Sequence, residues 1–131
     1  MATASFDAAS RATTAKMTAI LADSLSVEDA AELLELHRSR LRQMLSDRSL
    51  YGIKTDGEWR IPAFQFVGRR QARNLGPVLK VAPKRIHPIE LFNWLNRPEP
   101  ALVIEGQAVP PLRWLELGGD VERVASIAAE L

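Results

Sequence analysis

Apolar positions along the chain recur at helical spacing, then alternate, then return to helical spacing. Met17, Ile20, Leu21 and Leu25 fit a short leading helix. Val27, Ala30, Ala31 and Leu34 then repeat at i, i+3, i+4 and i+7, opened by Ser26 with Asp29 three residues on, a near match to the capping box. The polar face of that helix is Glu28, Asp29, Glu32 and Glu35, which phosphates would repel. After the short turn Leu36-His37-Arg38 a third helix is expected to run to about Asp47. At about 100° per residue, Leu41, Met44 and Leu45 form its buried stripe while Ser39, Arg42, Gln43 and Ser46 point away.

The period changes over residues 50–61. Leu50-Tyr51-Gly52-Ile53-Lys54 and Trp59-Arg60-Ile61 read as strands around Thr55-Asp56-Gly57-Glu58, in which Asp-Gly is a hairpin signal. Tyr51, Ile53, Trp59 and Ile61 are expected to share the core face of this ribbon, with Lys54 and Arg60 on or near its outer face as a wing. Pro62 is placed to open a brief closing helix with Phe64 and Phe66.

All eight prolines lie between Pro62 and Pro111, which suggests two units. Residues 1–15 read as a flexible tail, 16–66 as the first domain, 67–87 as a basic connector and 88–131 as the second domain. In the last, Ile89, Phe92 and Leu95 with Trp94 mark a helix stopped by Arg97-Pro98-Glu99-Pro100. Residues 102–109 read as a hairpin around Glu105-Gly106-Gln107. Pro110-Pro111 open a helix through Leu112, Trp114 and Leu115 that Gly118-Gly119 ends. Asp120 caps a final helix with the apolar seam Val121, Val124, Ala125, Ala128 and Leu131. So short a unit buries little core by itself, so that seam calls for the first domain, a twin chain or a partner to cover it. The fold class expected is mainly α with a small β-hairpin wing.

Composition narrows the function classes. A chain of 131 residues, 47% hydrophobic and without cysteine, has room for one ordinary domain or two small ones, and has no disulfide, thiolate zinc site or cysteine nucleophile. No apolar run exceeds four residues, as in Ala101 to Ile104, so neither a spanning helix nor an export signal is expected, and the cytoplasm is the expected compartment. Net charge is +1, but it divides as −4 over residues 1–35, +9 over 36–88 and −4 over 89–131. A basic middle of that size attracts polyanions. No nucleophile with its base, no paired carboxylates, no phosphate loop and no metal spacing is visible, so neither an enzyme nor a cofactor or metal site is expected. His37 is placed to cap or pack against the third helix, and His87 to cap the helix that starts at Pro88.

The outward side of the third helix is either an ordinary basic solvent face or suited to the major groove, where Arg42 can grip guanine, Gln43 adenine, and Ser39 several base edges. Arg38 and Arg40 flank the buried stripe at phosphate reach, and Lys54 and Arg60 could meet backbone or minor groove from the wing. Arg69 and Arg70, with Arg73, either add phosphate contacts or belong to a solvated linker.

Residues 26–66 resemble the excisionase-type, MerR-related winged helix-turn-helix, through Ser26, Val27, Glu28, Asp29, Ala30, Ala31, Leu34, Arg38, Ser39, Leu41, Trp59, Arg60, Ile61 and Pro62. Two positions depart from that pattern: Glu35 stands where the turn has Gly, and His37 where the cap is Ser. Residues 88–131 resemble, in the spacing of Trp94-Leu95, Pro98, Pro100, Leu102, Gly106, Pro110, Leu112, Trp114, Leu115, Gly118-Gly119, Val121 and Val124, the toxin-binding domain of Xre/MbcA/ParS antitoxins. That resemblance implies a type II antitoxin that neutralises a RES-type, NAD-consuming toxin and represses its own operon. It would place Val124, Ile127, Ala128 and Leu131 at the toxin surface, with operator DNA and further copies of the chain as other partners. The alternative is a stand-alone excisionase-like regulator whose second unit only dimerises.

Overall fold

The computed structural model describes residues 2–131, with side chains described from residue 8 on. Helix α1 (Ala2–Ala22) leads into strand β1 (Ser24–Leu25). Helices α2 (Val27–Leu34) and α3 (Arg38–Ser46) follow, then the ribbon β2 (Ile53–Thr55) and β3 (Glu58–Pro62). A 3₁₀ turn over Ala63–Gln65 joins this to a small hairpin, β4 (Phe66–Val67) and β5 (Arg70–Gln71). The remainder is α4 (Leu75–Val81), α5 (Pro88–Asn96), the hairpin β6 (Glu99–Ile104) and β7 (Gln107–Val109), α6 (Pro111–Glu116) and α7 (Val121–Ala128). The expected class is therefore the observed one: mainly helical, with small antiparallel sheets.

The hairpins follow from turn chemistry. Asp56 and Gly57 have φ of 51° and 79°, and Glu105 and Gly106 have 50° and 79°, the paired left-handed geometry of two-residue type I′ turns. In the first ribbon this closes Thr55 against Glu58 and sets Lys54 opposite Trp59 and Ile53 opposite Arg60. Cross-strand partners share a face, so the expected core face is corrected. Ile53 stands with Arg60, while Lys54 stands with Trp59, whose ring packs over Gly52 and Leu45. β1 pairs β3 on its free edge, making a sheet of order β1-β3-β2.

Three further expectations are corrected. Residues 1–15 are no flexible tail from Ala2 onward, since α1 begins there and continues to Ala22. Ala, Lys and Met favour helix, and Ile20 is buried near its end, beside Phe64 and Phe92. Residues 67–87 are no mere connector, because their apolar residues build the second core. Leu75, Val78, Leu79 and Ile86 join Leu91, Leu95, Leu102 and Leu115 there. Third, the seam of α7 is not open, because α4 packs along it: Val124 and Ala128 are 0% exposed, and Ile127 and Leu131 are half-buried against the same core. A segment that reads as basic and broken by glycine and proline thus supplies the cover that the short unit needed.

The first core is Val27, Ala30, Ala31, Leu41, Leu45, Leu50 and Ile61. Polar groups staple the two cores together. Gln65 is fully buried: its Oε1 accepts from the Tyr51 N–H (2.9 Å), and its Nε2 donates to the carbonyls of Tyr51 (2.8 Å) and Pro62 (3.1 Å). The Tyr51 hydroxyl donates to the Ile86 carbonyl at 2.9 Å, and burial pushes this phenol up to about 12. Arg48, itself left-handed at φ 67°, donates to the carbonyls of Lys80 (2.6 Å) and Ala82 (2.9 Å) at the end of α4.

Candidate nucleic-acid interface

The helix-turn-helix is built by two caps. Ser26 accepts the Asp29 N–H through its hydroxyl (3.1 Å), starting α2. Glu35 then adopts φ 55° and ψ 44°, so that the Leu36 N–H returns to the Ala31 carbonyl (2.9 Å) and the Glu35 N–H to Glu32 (3.2 Å). These are the paired bonds with which a helix ends on a left-handed residue. The turn keeps the shape that glycine gives elsewhere, with a glutamate bearing the backbone cost. His37 likewise replaces the usual serine cap: its Nδ1 accepts the Ser39 N–H at 3.1 Å, with Ser39 Oγ 2.8 Å away. His87 caps α5 in the same way, its Nδ1 accepting the Ile89 N–H at 3.1 Å.

With α3 so placed, Leu41 and Leu45 are buried and Ser39, Arg42, Gln43 and Ser46 are exposed, as the periodicity predicted. Their partners differ. Arg42 has no side-chain hydrogen bond or ion pair among the described residues. It lines a cleft of about 200 Å³ with Ser26, Val27, Glu28, Gly57, Glu58 and Trp59, between the start of α2 and the tip of the ribbon. Gln43 accepts from Arg40 Nη1 at 3.2 Å, and Ser39 is turned toward His37. Arg38 pairs with Glu28 at 3.2 Å, but both side chains are some two-thirds exposed (62% and 69%), a geometry worth little and easily exchanged for a phosphate.

The wing residues are separated rather than gathered. Lys54 is exposed, with its ammonium 5.1 Å from the Trp59 ring centroid, a cation–π contact on the face toward α3. Arg60 is exposed on the opposite face, where it borders α1 beside Thr18, Leu21 and Thr55. Arg69 is exposed at the tip of the β4–β5 hairpin. Arg70 is committed elsewhere: its guanidinium grips Glu116 at 2.8 and 3.2 Å, and the same carboxylate takes the Arg73 N–H at 2.7 Å. The Arg70 hydrogen bond, followed by that N–H, holds the Glu116 carboxyl below its ordinary value. Sequence reasoning did not anticipate Trp59 as the stacking platform for Lys54; the signal lay in the two-residue turn, whose register places those residues opposite each other.

Of the residues expected at a toxin surface, Val124 and Ala128 lie in the second core and only Ile127 and Leu131 are partly accessible. Among the described residues no group of three or more His, Asp or Glu side chains is placed to hold a metal ion, and no helix is long and apolar enough to cross a membrane.

Two helices at a tight turn, the second with a free cationic side, and a two-stranded ribbon beside it define a winged helix-turn-helix domain. Residues 16–66 match the family model for the winged helix-turn-helix domain of the DNA-binding protein Rv2175c. The chain is also similar in fold to the NMR structure of Rv2175c, with a TM-score of 0.51 and 22% sequence identity over 80% of each chain. No curated protein matches the sequence.

Proposed function

We propose that this protein is a DNA-binding regulator that reads duplex DNA with the exposed side of α3. The observation that carries this reading is Arg42, solvent-facing and without a side-chain partner among the described residues, on a helix held by caps at its entry and a β-ribbon at its flank. Arg42 and Gln43 offer the donors and acceptors for guanine and adenine edges, and Arg38, Arg40 and Lys54 lie where phosphates would run. The match of residues 16–66 to the winged domain of a DNA-binding protein supports the same reading.

Titrating duplexes cut from the DNA upstream of its own gene tests it, with fluorescence anisotropy at several salt concentrations. Arg42→Ala is expected to cost about 1–3 kcal/mol and relax base choice, while Arg38→Ala weakens all duplexes alike and flattens the salt slope by about one. Duplex affinity indifferent to Arg42→Ala overturns the reading.

The finer reading, an antitoxin that binds a RES-type toxin and acts as a dimer or hetero-oligomer, draws support from the Trp94 to Val124 spacing alone. With Val124 and Ala128 internal, any such partner must use surface other than the α7 seam. Co-expression with a neighbouring RES-type protein tests it: a stable complex that stops NAD loss supports the antitoxin, and independent migration with undiminished NAD loss overturns it.

A further inference from the structure

No acidic residue occurs between Glu58 and Glu90, a stretch that contains Arg60, Arg69, Arg70, Arg73, Lys80, Lys84 and Arg85. The fold sorts these cations into used and free. Arg70 is consumed by Glu116, and the Arg73 guanidinium lies over Gly118. Lys80, Lys84 and Arg85 are exposed and have no side-chain partner among the described residues.

Their placement is set by the staples between the cores. Arg48, at the end of α3, holds the carbonyls of Lys80 and Ala82, and Tyr51, at the root of the wing, holds that of Ile86. The loop joining α4 to α5 is therefore drawn against the reader. A cleft of about 180 Å³ is lined from one side by Leu45, Gly52 and Trp59 and from the other by Ala82, Pro83 and Lys84. Lys54 stands over the same Trp59. At the far end Lys80 is close enough to the C-terminus of α3 to add, after the Ser49 hydroxyl and N–H and alongside Arg40, to holding the Asp47 carboxyl below its ordinary value.

We propose that Lys80, Lys84 and Arg85 form a second contact to the phosphate backbone of duplex DNA, continuous with Lys54 of the wing, so that the second unit lengthens the footprint of the reader. This inference rests on the DNA-binding reading above. The chemistry favours a duplex over an acidic protein: lysines are depleted at the centres of protein interfaces and are common at phosphates, and the surface continues directly from the end of the reading helix. Phosphate contacts carry no sequence information, so this surface adds affinity and salt dependence without changing base choice.

The test compares the full-length chain with its Lys84→Gln/Arg85→Gln variant on a duplex of about 30 bp, with affinity followed against salt concentration. Neither side chain holds anything in the fold, so the variant is expected to melt at the wild-type temperature. The expected result is a logarithmic salt slope lower by about two, with duplexes of different sequence weakened by the same factor, each lost contact being worth about 0.9 in slope. An unchanged slope, with Arg38→Ala still lowering it, overturns this contact and leaves the reader intact. Absence of duplex binding by the wild type overturns the reader and the contact together. Weakened binding of polyglutamate with duplex binding untouched assigns the surface to an acidic protein and also overturns the proposal.

Discussion

Helices α3 and α7 are nearly equal in length, both are amphipathic and each buries two residues, yet the cover over their apolar stripes comes from different places in the chain. α3 buries only Leu41 and Leu45 and leaves an exposed side carrying Arg42, Gln43 and Ser46. α7 packs Val124 and Ala128 beneath α4 and leaves solvent only Glu122, Arg123, Ser126 and the chain end. The difference lies in what the chain supplies nearby. α3 is packed by α2, the helix just before it in the sequence, whereas α7 is packed by α4, some forty residues earlier. A polar face left free can serve recognition, whereas an apolar face left free demands a cover, and the cover need not come from another molecule.

The sharpest way to break that comparison is to charge the seam. Val124→Asp places an unpaired carboxylate at a position with 0% exposure and is expected to cost about 4 kcal/mol or more, read as a collapse of the chemical denaturation midpoint. Val103→Asp, at a position 51% exposed on the β6–β7 hairpin, is expected to stay within about 0.5 kcal/mol. Equal tolerance at the two positions would mean that the seam is open in solution and that the cover by α4 is wrong.

The staple between the regions comes next. Gln65→Leu leaves the Tyr51 N–H, the Tyr51 carbonyl and the Pro62 carbonyl without their buried partner and is expected to cost about 2–4 kcal/mol. Because Gln65 fixes Tyr51, whose hydroxyl reaches Ile86 of the second core, denaturation followed at Trp59 and at Trp94 separates into two transitions if Gln65 is the hinge of cooperativity. A single, undisplaced transition would show that the cores hold together without it.

The helix-turn-helix, the caps and the two-residue turns were largely legible before the fold, and the reasons are local. Ser26, His37 and Asp120 announce caps by chemistry that acts within three residues, and Asp56-Gly57 and Glu105-Gly106 announce turns. Errors arose where the decisive contact was distant. Leu75, Val78 and Leu79 sit among glycines, prolines and cations, so no periodicity marks them as core; only the seam they cover, some fifty residues away, gives them that role. The ribbon error was one of register: a two-residue turn fixes Lys54 against Trp59, and a shift of one residue exchanges the faces. The fate of Arg70 was hidden for the same reason as the α4 core, because Glu116 lies 46 positions away.

Alkaline pH probes the same junction more gently. The neutral phenol of Tyr51 is favoured in the folded chain, where it is raised to about 12 from an ordinary value of 10. Its contribution is therefore complete below pH 10 and is lost as pH climbs from 10 through 12. At neutral pH Tyr51→Phe is expected to cost about 1 kcal/mol for the lost bond to Ile86, and the gap between wild type and variant should narrow steadily above pH 10. A constant gap in urea titrations up to pH 12 would place the phenol in water.

The smallest effect tests the turn that aims α3. Glu35 sits at φ 55°, a conformation that costs a residue with a Cβ roughly 1 kcal/mol, and its carboxylate faces the negative end of the α2 dipole. Glu35→Gly relieves both, against a greater loss of chain entropy on folding, for a net gain of about 0.5 kcal/mol. Glu35→Gln relieves only the charge and should recover less. If the two variants are equally stabilised, the dipole rather than the backbone is what the glutamate pays for. Duplex affinity per folded molecule should stay the same in both, since the bonds from Leu36 to Ala31 and from Glu35 to Glu32 involve backbone atoms alone and fix the angle between the helices whichever side chain stands there.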